Sequence, residues 1–391
     1  MRGTALALLC AGLAVSGCAR PGAPVGGDRP TTPLRVIGTF PEQLALMEPF
    51  DGPVELRFER TVSERPTEGS PGDAVIVSPQ TGPVTVRTSG ERIDVTMEGG
   101  FRAGTVYRVT VLPRFRDRFQ NRMNRAFDLV FSTGGEFEPT LLAGLTQDRL
   151  TLRPLAGTRV DAIPLDGGDR RSTVADSTAL FTFPYLPSGR YELVAYEDRN
   201  RNRESDSSER QASIVVGVNV GDTIVVTDLP LLLPDPTPAR VESVALVDSL
   251  SLQVTFDDYL DAAGSLDPVT ARLVREEANA PEVLDILFRW EWDREKAAAA
   301  RAAAQTPAAQ AAAAGNAATP NAATPSPAAV AAPGPILPSR EIVLVISRPL
   351  VSGASYRVEV DGVVNLNGVP GGRGEGDLDG PPPLTPGALP R

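Results

Sequence analysis

Residues 54–62 read VELRFERTV. Val54, Leu56 and Phe58 fall on one face of an extended chain and Glu55, Arg57 and Glu59 on the other, the period of two required of a strand half in a core and half in water. The same kind of run recurs in DAVIVSP (73–79), VTVRTSG (84–90), RIDVTME (92–98), VYRVTVLP (106–113) and FDLVFST (127–133). Short strands between regularly spaced Gly, Pro, Asn and Ser turns predict a β-sandwich of about a hundred residues.

A second strand series follows in RVDAIPL (159–165), ALFTFPYL (179–186), RYELVAYED (190–198), ASIVVGVNV (212–220) and TIVVTDLPLLL (223–233), with no helix of useful length. The third block restarts at ARVESVALVDSLSLQVTFDDYLD (239–261) and repeats the first. GTVYRVTV (104–111) matches GASYRVEV (353–360), and VELRFERTV parallels LQVTFDDYL (252–260). Phe58 and Tyr107 are 49 residues apart, whereas Phe256 and Tyr356 are 100 apart, so the third block carries about 51 extra residues. Most of the surplus is the Ala/Pro-rich tract at about 296–338, whose first part suits a helix but whose small side chains and prolines build no core. The expectation is an all-β chain of tandem sandwiches over 34–134, 136–235 and 236–368, with a disordered insert and a disordered tail over 369–391.

The chain begins MRGTALALLCAGLAVSGC, one Arg before an apolar run of about a dozen residues, which is the layout of a secretory signal and too short for a span of roughly 20 residues. Val15-Ser16-Gly17-Cys18 resembles the bacterial lipobox, which implies cleavage after residue 17 and acylation of Cys18. Cys10 leaves with the signal, so the mature chain holds one thiol, and lipidation accounts for it. Ala19, in place of an Asp after the lipidated cysteine, implies the outer membrane, with its periplasmic or surface face left open. ARPGAPVGGDRPTTP (19–33) reads as a flexible tether.

The net charge of −11 becomes −12 once residues 1–17 are removed, which argues against nucleic acid as a partner. Histidine is absent, so Ser-His-Asp and Cys-His nucleophiles and His-ligated zinc are excluded. A carboxylate pair for glycoside hydrolysis remains open, and Asp257, Asp258 and Asp261 form the densest acidic cluster after the 196–210 stretch. Glu59 holds the repeat-equivalent place in the first block, so an acidic strand end reads as a shared surface feature and no enzyme is expected. Trp290 and Trp292 lie at i, i+2 with Leu284, Ile286 and Phe288 on one predicted strand face, which favours a core role over a sugar platform.

YEDRNRNRESDSSER (196–210) has the oxygen spacing of a calcium loop. Counting Asp198 as position one, Asp198, Asn200, Asn202, Asp206 and Glu209 stand at one, three, five, nine and twelve, and Glu204 offers its backbone carbonyl at seven. Position six is Arg203 where glycine is usual, and the loop leaves a strand rather than a helix. Either a structural calcium site or a solvated Asn/Asp-rich turn fits the residues.

The Phe-acidic strand end, the Gly-x-x-Tyr strand, DRFQN (117–121) and the closing FST (131–133) resemble the bacterial Ig-like domain of the S-layer SbsA type, over 34–134 and, less completely, 236–368. FTFPYLPSGRYELVAYEDRN (181–200) resembles the carboxypeptidase regulatory-like, transthyretin-like sandwich, which implies that Phe181, Phe183, Leu186 and Tyr191 fill its core. Isopeptide staples found in some related surface domains need a buried lysine, and the single lysine, Lys296, begins the Ala-rich insert. Together these features imply a non-catalytic outer-membrane-anchored lipoprotein, an envelope scaffold or binding module. The alternative is an accessory carbohydrate- or peptide-binding subunit of an envelope enzyme complex, which an exposed row of aromatics would favour. RGEGDLDGPPPLTPGALPR (373–391) has no alternating apolar run, so the third sandwich is expected to lack its closing strand and to offer an edge to a partner's strand.

Overall fold

The computed structural model describes residues 28–219, 221–222, 225–275, 279–304 and 336–382. They divide into two compact units, one running to Val77 and resuming over Thr81–Gly135, the other made of Ser78–Gln80 and the chain from Glu136 on.

In the first unit, β1 (Val36–Phe40), β2 (Val54–Phe58), β4 (Val84–Ser89) and β5 (Arg92–Met97) form a sheet in the order β1-β2-β5-β4. A second sheet runs β3-β6-β7, from Val75–Ser78, Val106–Val111 and Phe127–Ser132. Val54, Leu56 and Phe58 are fully buried, as are Ile93, Val95, Tyr107, Val109, Leu129 and Phe131, so alternate residues of both sheets interleave in one core. Phe101, Tyr107 and Phe131 pack as an aromatic cluster with centroids 5.1–5.7 Å apart, close to the preferred spacing of aromatic pairs.

The middle sandwich pairs one sheet, β10-β9-β12-β13 (Arg171–Val174, Arg159–Pro164, Gly189–Tyr196, Gln211–Val218), with another built on β8 (Leu141–Asp148). β11 (Leu180–Pro184) flanks β8 antiparallel, and β14 (Val225–Val226) and β15 (Leu229–Leu231) run parallel to it. Phe181, Phe183, Leu186 and Tyr191 are all buried in its core.

The third sandwich repeats the architecture of the first. Its sheets run β16-β17-β20-β19 (Val241–Asp248, Ser251–Leu260, Ser339–Ile346, Val283–Phe288) and β18-β21-β22 (Thr270–Val274, Ser355–Val363, Gly372–Asp379). Phe256 and Tyr356 occupy its core as Phe58 and Tyr107 do in the first. The correspondence extends to single hydrogen bonds: Tyr107 Oη accepts the Arg102 N–H at 2.7 Å and Tyr356 Oη the Val351 N–H at 2.9 Å, each five residues upstream.

The structure departs from the sequence expectation at the closing strand and at the tryptophans. The last sandwich does have its closing strand, because Gly372–Asp379 pairs antiparallel with β21 along its length. The β21 edge is therefore filled from within the chain, so a missing strand gives no reason to expect a partner's strand there. The run lacks apolar alternation because three of its four inward positions, Gly372, Gly374 and Gly376, are glycines and only Leu378 is apolar: a Cβ on Gly374 would stand 2.8 Å from Val241 Cβ, and one on Gly376 2.5 Å from Val244 Cγ2. Side chains of β16 occupy the space that β22 would otherwise fill. Secondly, Trp290 and Trp292 do not lie on a strand; β19 ends at Phe288 and they sit in the first turn of α1 (Arg289–Ala304). The helix thus begins before the Ala/Pro-rich tract and covers its first residues, while 305–335 lie outside the described residues.

Candidate metal centre

Cys18 lies outside the described residues. The six residues of the calcium-like pattern lie together in the turn of the β12–β13 hairpin, between Tyr196 and Gln211. Asn200 and Asn202 are exposed, Asp198 and Asp206 half-buried, and Glu209 buried, with 2% of its surface accessible.

The turn is organised by its own short polar side chains. Asn202 N–H donates to Asn200 Oδ1 at 3.0 Å, Glu204 N–H to Asn202 Oδ1 at 2.8 Å and Arg203 N–H to Asp198 Oδ1 at 3.4 Å. Such side-chain-to-backbone bonds two or more residues along are what make Asx residues turn formers. Asp206 Oδ2 accepts both amide groups, from Asn200 Nδ2 at 2.6 Å and Asn202 Nδ2 at 3.0 Å. Arg203, at the position where a calcium loop usually has glycine, has φ +64°, and Arg201, at position four, has φ +63°. The left-handed backbone that glycine would supply is therefore present with arginine in its place, at a steric cost that the surrounding bonds offset.

The arginine charges are partly directed elsewhere. Arg199 pairs with Glu197 at 2.9 Å, and Arg210 pairs with Glu197 at 3.3 Å and Asp148 at 3.4 Å. Glu209 faces the start of the loop: Oε1 accepts the Arg199 N–H at 2.7 Å. Its other oxygen, Oε2, is buried with no hydrogen-bond partner. No three Asp or Glu side chains among the described residues converge as a ready-made metal cage. The donor set at this turn is instead three carboxylates, two amides and a carbonyl, with the amide nitrogens turned towards Asp206.

Beneath the loop lies a buried polar group absent from the sequence reading. Tyr196 Oη stands 2.8 Å from the Arg203 carbonyl and 3.0 Å from Asp161 Oδ2, so its single proton faces both. Asp161 also accepts Ser172 Oγ–H at 2.6 Å and lies 3.3 Å from Arg159 Nε and 3.4 Å from Arg170. Arg159 Nε is close to Asp161 yet makes no aligned hydrogen bond, so this contact is chiefly one of charge. Burial first, and then the Asp161 charge, raise the Tyr196 hydroxyl pKa far above its ordinary value. The sequence signal was an acid in the buried strand RVDAIPL, two residues after an arginine.

In the other acidic cluster each carboxylate is engaged by a neighbouring donor. Asp257 accepts the Arg240 N–H at 2.7 Å, Asp258 the Asn365 amide at 2.9 Å, and Asp261 an Arg149 guanidinium at 3.2 Å and the Ala263 N–H at 3.2 Å. Trp290 donates to the Ala262 carbonyl at 3.1 Å and Trp292 to Ser251 Oγ at 3.2 Å. Arg294 lies over the ring of Trp290, and Arg289 and Lys296 over that of Trp292, at 4.9–5.2 Å from the centroids. Phe40, Phe119 and Tyr259 are the exposed aromatics among the described residues, and they form no row on one element.

With this geometry in view, residues 30–133 match the family model described as "Bacterial Ig-like domain". No curated protein matches the chain. Among solved structures, similarity is found to BcpA, the major pilin subunit of Bacillus cereus, at 9% identity over 49% of this chain and 67% of that one, with a TM-score of 0.20. The group B streptococcus pilus 2b backbone protein is matched at 9% identity over 51% of this chain and 97% of that one, TM-score 0.18. The S-layer protein rSbsC is matched at 7% identity over 86% and 58%, TM-score 0.19. Likenesses this low carry no argument; the sheet orders and the family match of the first sandwich carry the assignment of an Ig-like fold.

Proposed function

We propose that the chain is a non-catalytic lipoprotein of the bacterial envelope, anchored through Cys18 in the outer membrane and built as a scaffold or binding module. The observation that carries this reading is the repeated architecture: two sandwiches with the same sheet orders and the same tyrosine hydrogen bond flank a third of different topology. The acids and tryptophans that would have to do chemistry or bind sugar hold backbone groups and neighbouring cations instead. The absence of histidine removes the commonest general base. Among the described residues no helix is long and apolar enough to cross a membrane, and the lipid is the attachment this reading requires. The accessory carbohydrate-binding reading finds no support in the tryptophans, whose rings are covered by arginine and lysine.

The deciding experiment is Cys18→Ser in the intact chain. The variant is expected to lose labelling by radioactive palmitate and to leave the membrane fraction, with its circular dichroism unchanged. Undiminished labelling would refute the anchor.

A further inference from the structure

The geometry points to a structural Ca²⁺ site in the β12–β13 turn, held by the side chains of Asp198, Asn200, Asn202, Asp206 and Glu209 and by the Glu204 carbonyl. This goes beyond the envelope reading and does not depend on it, because nothing in the site involves the lipid.

The spacing alone would leave the solvated turn equally good. The distinguishing observation is Glu209. A carboxylate with only 2% of its surface accessible, one oxygen bonded to the loop's own Arg199 N–H and the other with no partner, is a costly arrangement in a folded protein. Buried carboxylates are paired with a cation or bonded on both oxygens, and no arginine is paired with this one by an ion pair within 4 Å among the described residues. Position twelve of a calcium loop is where a glutamate supplies two oxygens to the ion, and the orphaned atom is at that position. The neighbouring arginines 199 and 210 are engaged with Glu197.

The remaining donors are consistent with the same ion. Asp206 holds the two asparagine amides through their nitrogens. Rotating each amide by half a turn presents oxygen where nitrogen now stands, at the cost of the bonds that Asn200 Oδ1 and Asn202 Oδ1 accept from the Asn202 and Glu204 N–H groups, and three oxygens facing one another are tolerated only around a cation. Three carboxylates, two amides and one carbonyl make a hard oxygen set whose number suits Ca²⁺, which takes six to eight oxygens in flexible geometry, better than Mg²⁺, which demands an octahedron and retains water. The left-handed residues 201 and 203 fold the chain so that the alternate residues carry the donors. Tyr196 then positions the loop from below, since its hydroxyl joins the Arg203 carbonyl to the buried Asp161.

The test is calorimetric titration of CaCl₂ into the full chain after EDTA treatment and desalting, followed by thermal scans. One site is expected, with a Kd on the order of 10⁻⁴ M, the range of extracellular calcium modules. At a hundredfold excess of Ca²⁺ over that Kd, the transition that includes the middle sandwich should rise by roughly 10 °C, and EDTA should reverse it. Glu209→Gln should weaken binding at least tenfold. Because residue 209 is buried, Asn200→Ala and Asn202→Ala at exposed positions form a second arm; each should weaken binding with the circular dichroism spectrum retained. No saturable heat up to 10 mM Ca²⁺, a midpoint indifferent to EDTA, or binding undiminished in the folded alanine variants would overturn the site. Equal affinity for Mg²⁺ would overturn the calcium assignment.

Discussion

The two Ig-like copies place opposite charges at one equivalent corner, and this permits a sharp test of the third. In the first sandwich Asp117 is fully buried, accepts the N–H groups of Phe119 and Asn121 at 2.8 and 2.9 Å, and lies 3.1 Å from Arg60. In the third, Asn365 is equally buried. It donates to the Thr237 carbonyl at 2.8 Å and to Asp258 at 2.9 Å, and accepts the Val369 N–H at 2.8 Å. Both corners bridge the same strand position, Val62 to Asp117 and Leu260 to Asn365. Arg60 and Asp258 each stand two residues after the paired phenylalanine, Phe58 or Phe256. The buried acid faces a guanidinium in one copy, and the buried amide faces an acid in the other.

Asn365→Asp therefore keeps the shape and removes the complement. The acceptor for Val369 survives, but both donated bonds are lost, at about 1 kcal/mol for the neutral one and about 1.5–3 kcal/mol for the one to a carboxylate. A second negative charge at about 4 Å adds roughly 4 kcal/mol at an effective dielectric near 20, a penalty the pair limits by taking up a proton. The net expectation is a loss of about 3–5 kcal/mol at pH 7, the range for breaking a buried pair. Like charges raise the carboxyl pKa in the folded state, so the variant's deficit is largest at neutral pH and shrinks as pH falls towards 4. The assay is urea unfolding followed by tryptophan fluorescence, since both tryptophans of the chain lie in this sandwich and Trp290 packs on its core. The midpoint should fall by about 2 M. Adding Asp258→Arg reproduces the first corner and should recover at least about 1.5 kcal/mol through coupling. A single variant within 0.5 kcal/mol of the parent, or a double variant no better than the single, would refute the equivalence of the corners.

Tyr196→Phe should destabilise the middle sandwich by about 1–3 kcal/mol, because Asp161 and the Arg203 carbonyl lose their shared donor; an unchanged calorimetric transition would count against that role. Since the Tyr196 pKa is raised in the folded protein, its contribution is complete below about pH 10 and lost as pH rises beyond it, so the parent should weaken more steeply than Tyr196→Phe between pH 10 and 12. Gly374→Val should cost the third sandwich about 1–3 kcal/mol by overpacking, whereas Glu375→Val, at an exposed position on the opposite face, should change the tryptophan-monitored midpoint by less than about 0.5 kcal/mol; equal effects would show that β22 does not approach β16 as closely as described.

How far the sequence is legible depends on which physical term shaped each segment. In β2 the hydrophobic effect alone decides, so VELRF announces both the strand and its inner face. The repeat announces itself because Phe58 and Phe256, and Tyr107 and Tyr356, carry the same packing and the same hydroxyl contact. In β22 the decisive term is excluded volume: Val241 and Val244 already fill the core at that place, glycine is what remains for the strand, and the apolar signal vanishes while the strand does not. At the end of β19 the sequence LFRWEW alternates as a strand would, but helix formation by the alanine-rich tract extends back to Arg289 and turns both indoles towards the polar partners Ala262 and Ser251. The loop at 198–209 divides in the same way. Its oxygen spacing is written in the chain, whereas the left-handed state of Arg203 and the orphaned oxygen of Glu209 are products of the hairpin that closes over them. Arginine at position six counts against a calcium loop only as long as its backbone state is unknown, and its φ of +64° shows that the constraint on that position is conformational, with glycine the cheapest of several ways to meet it.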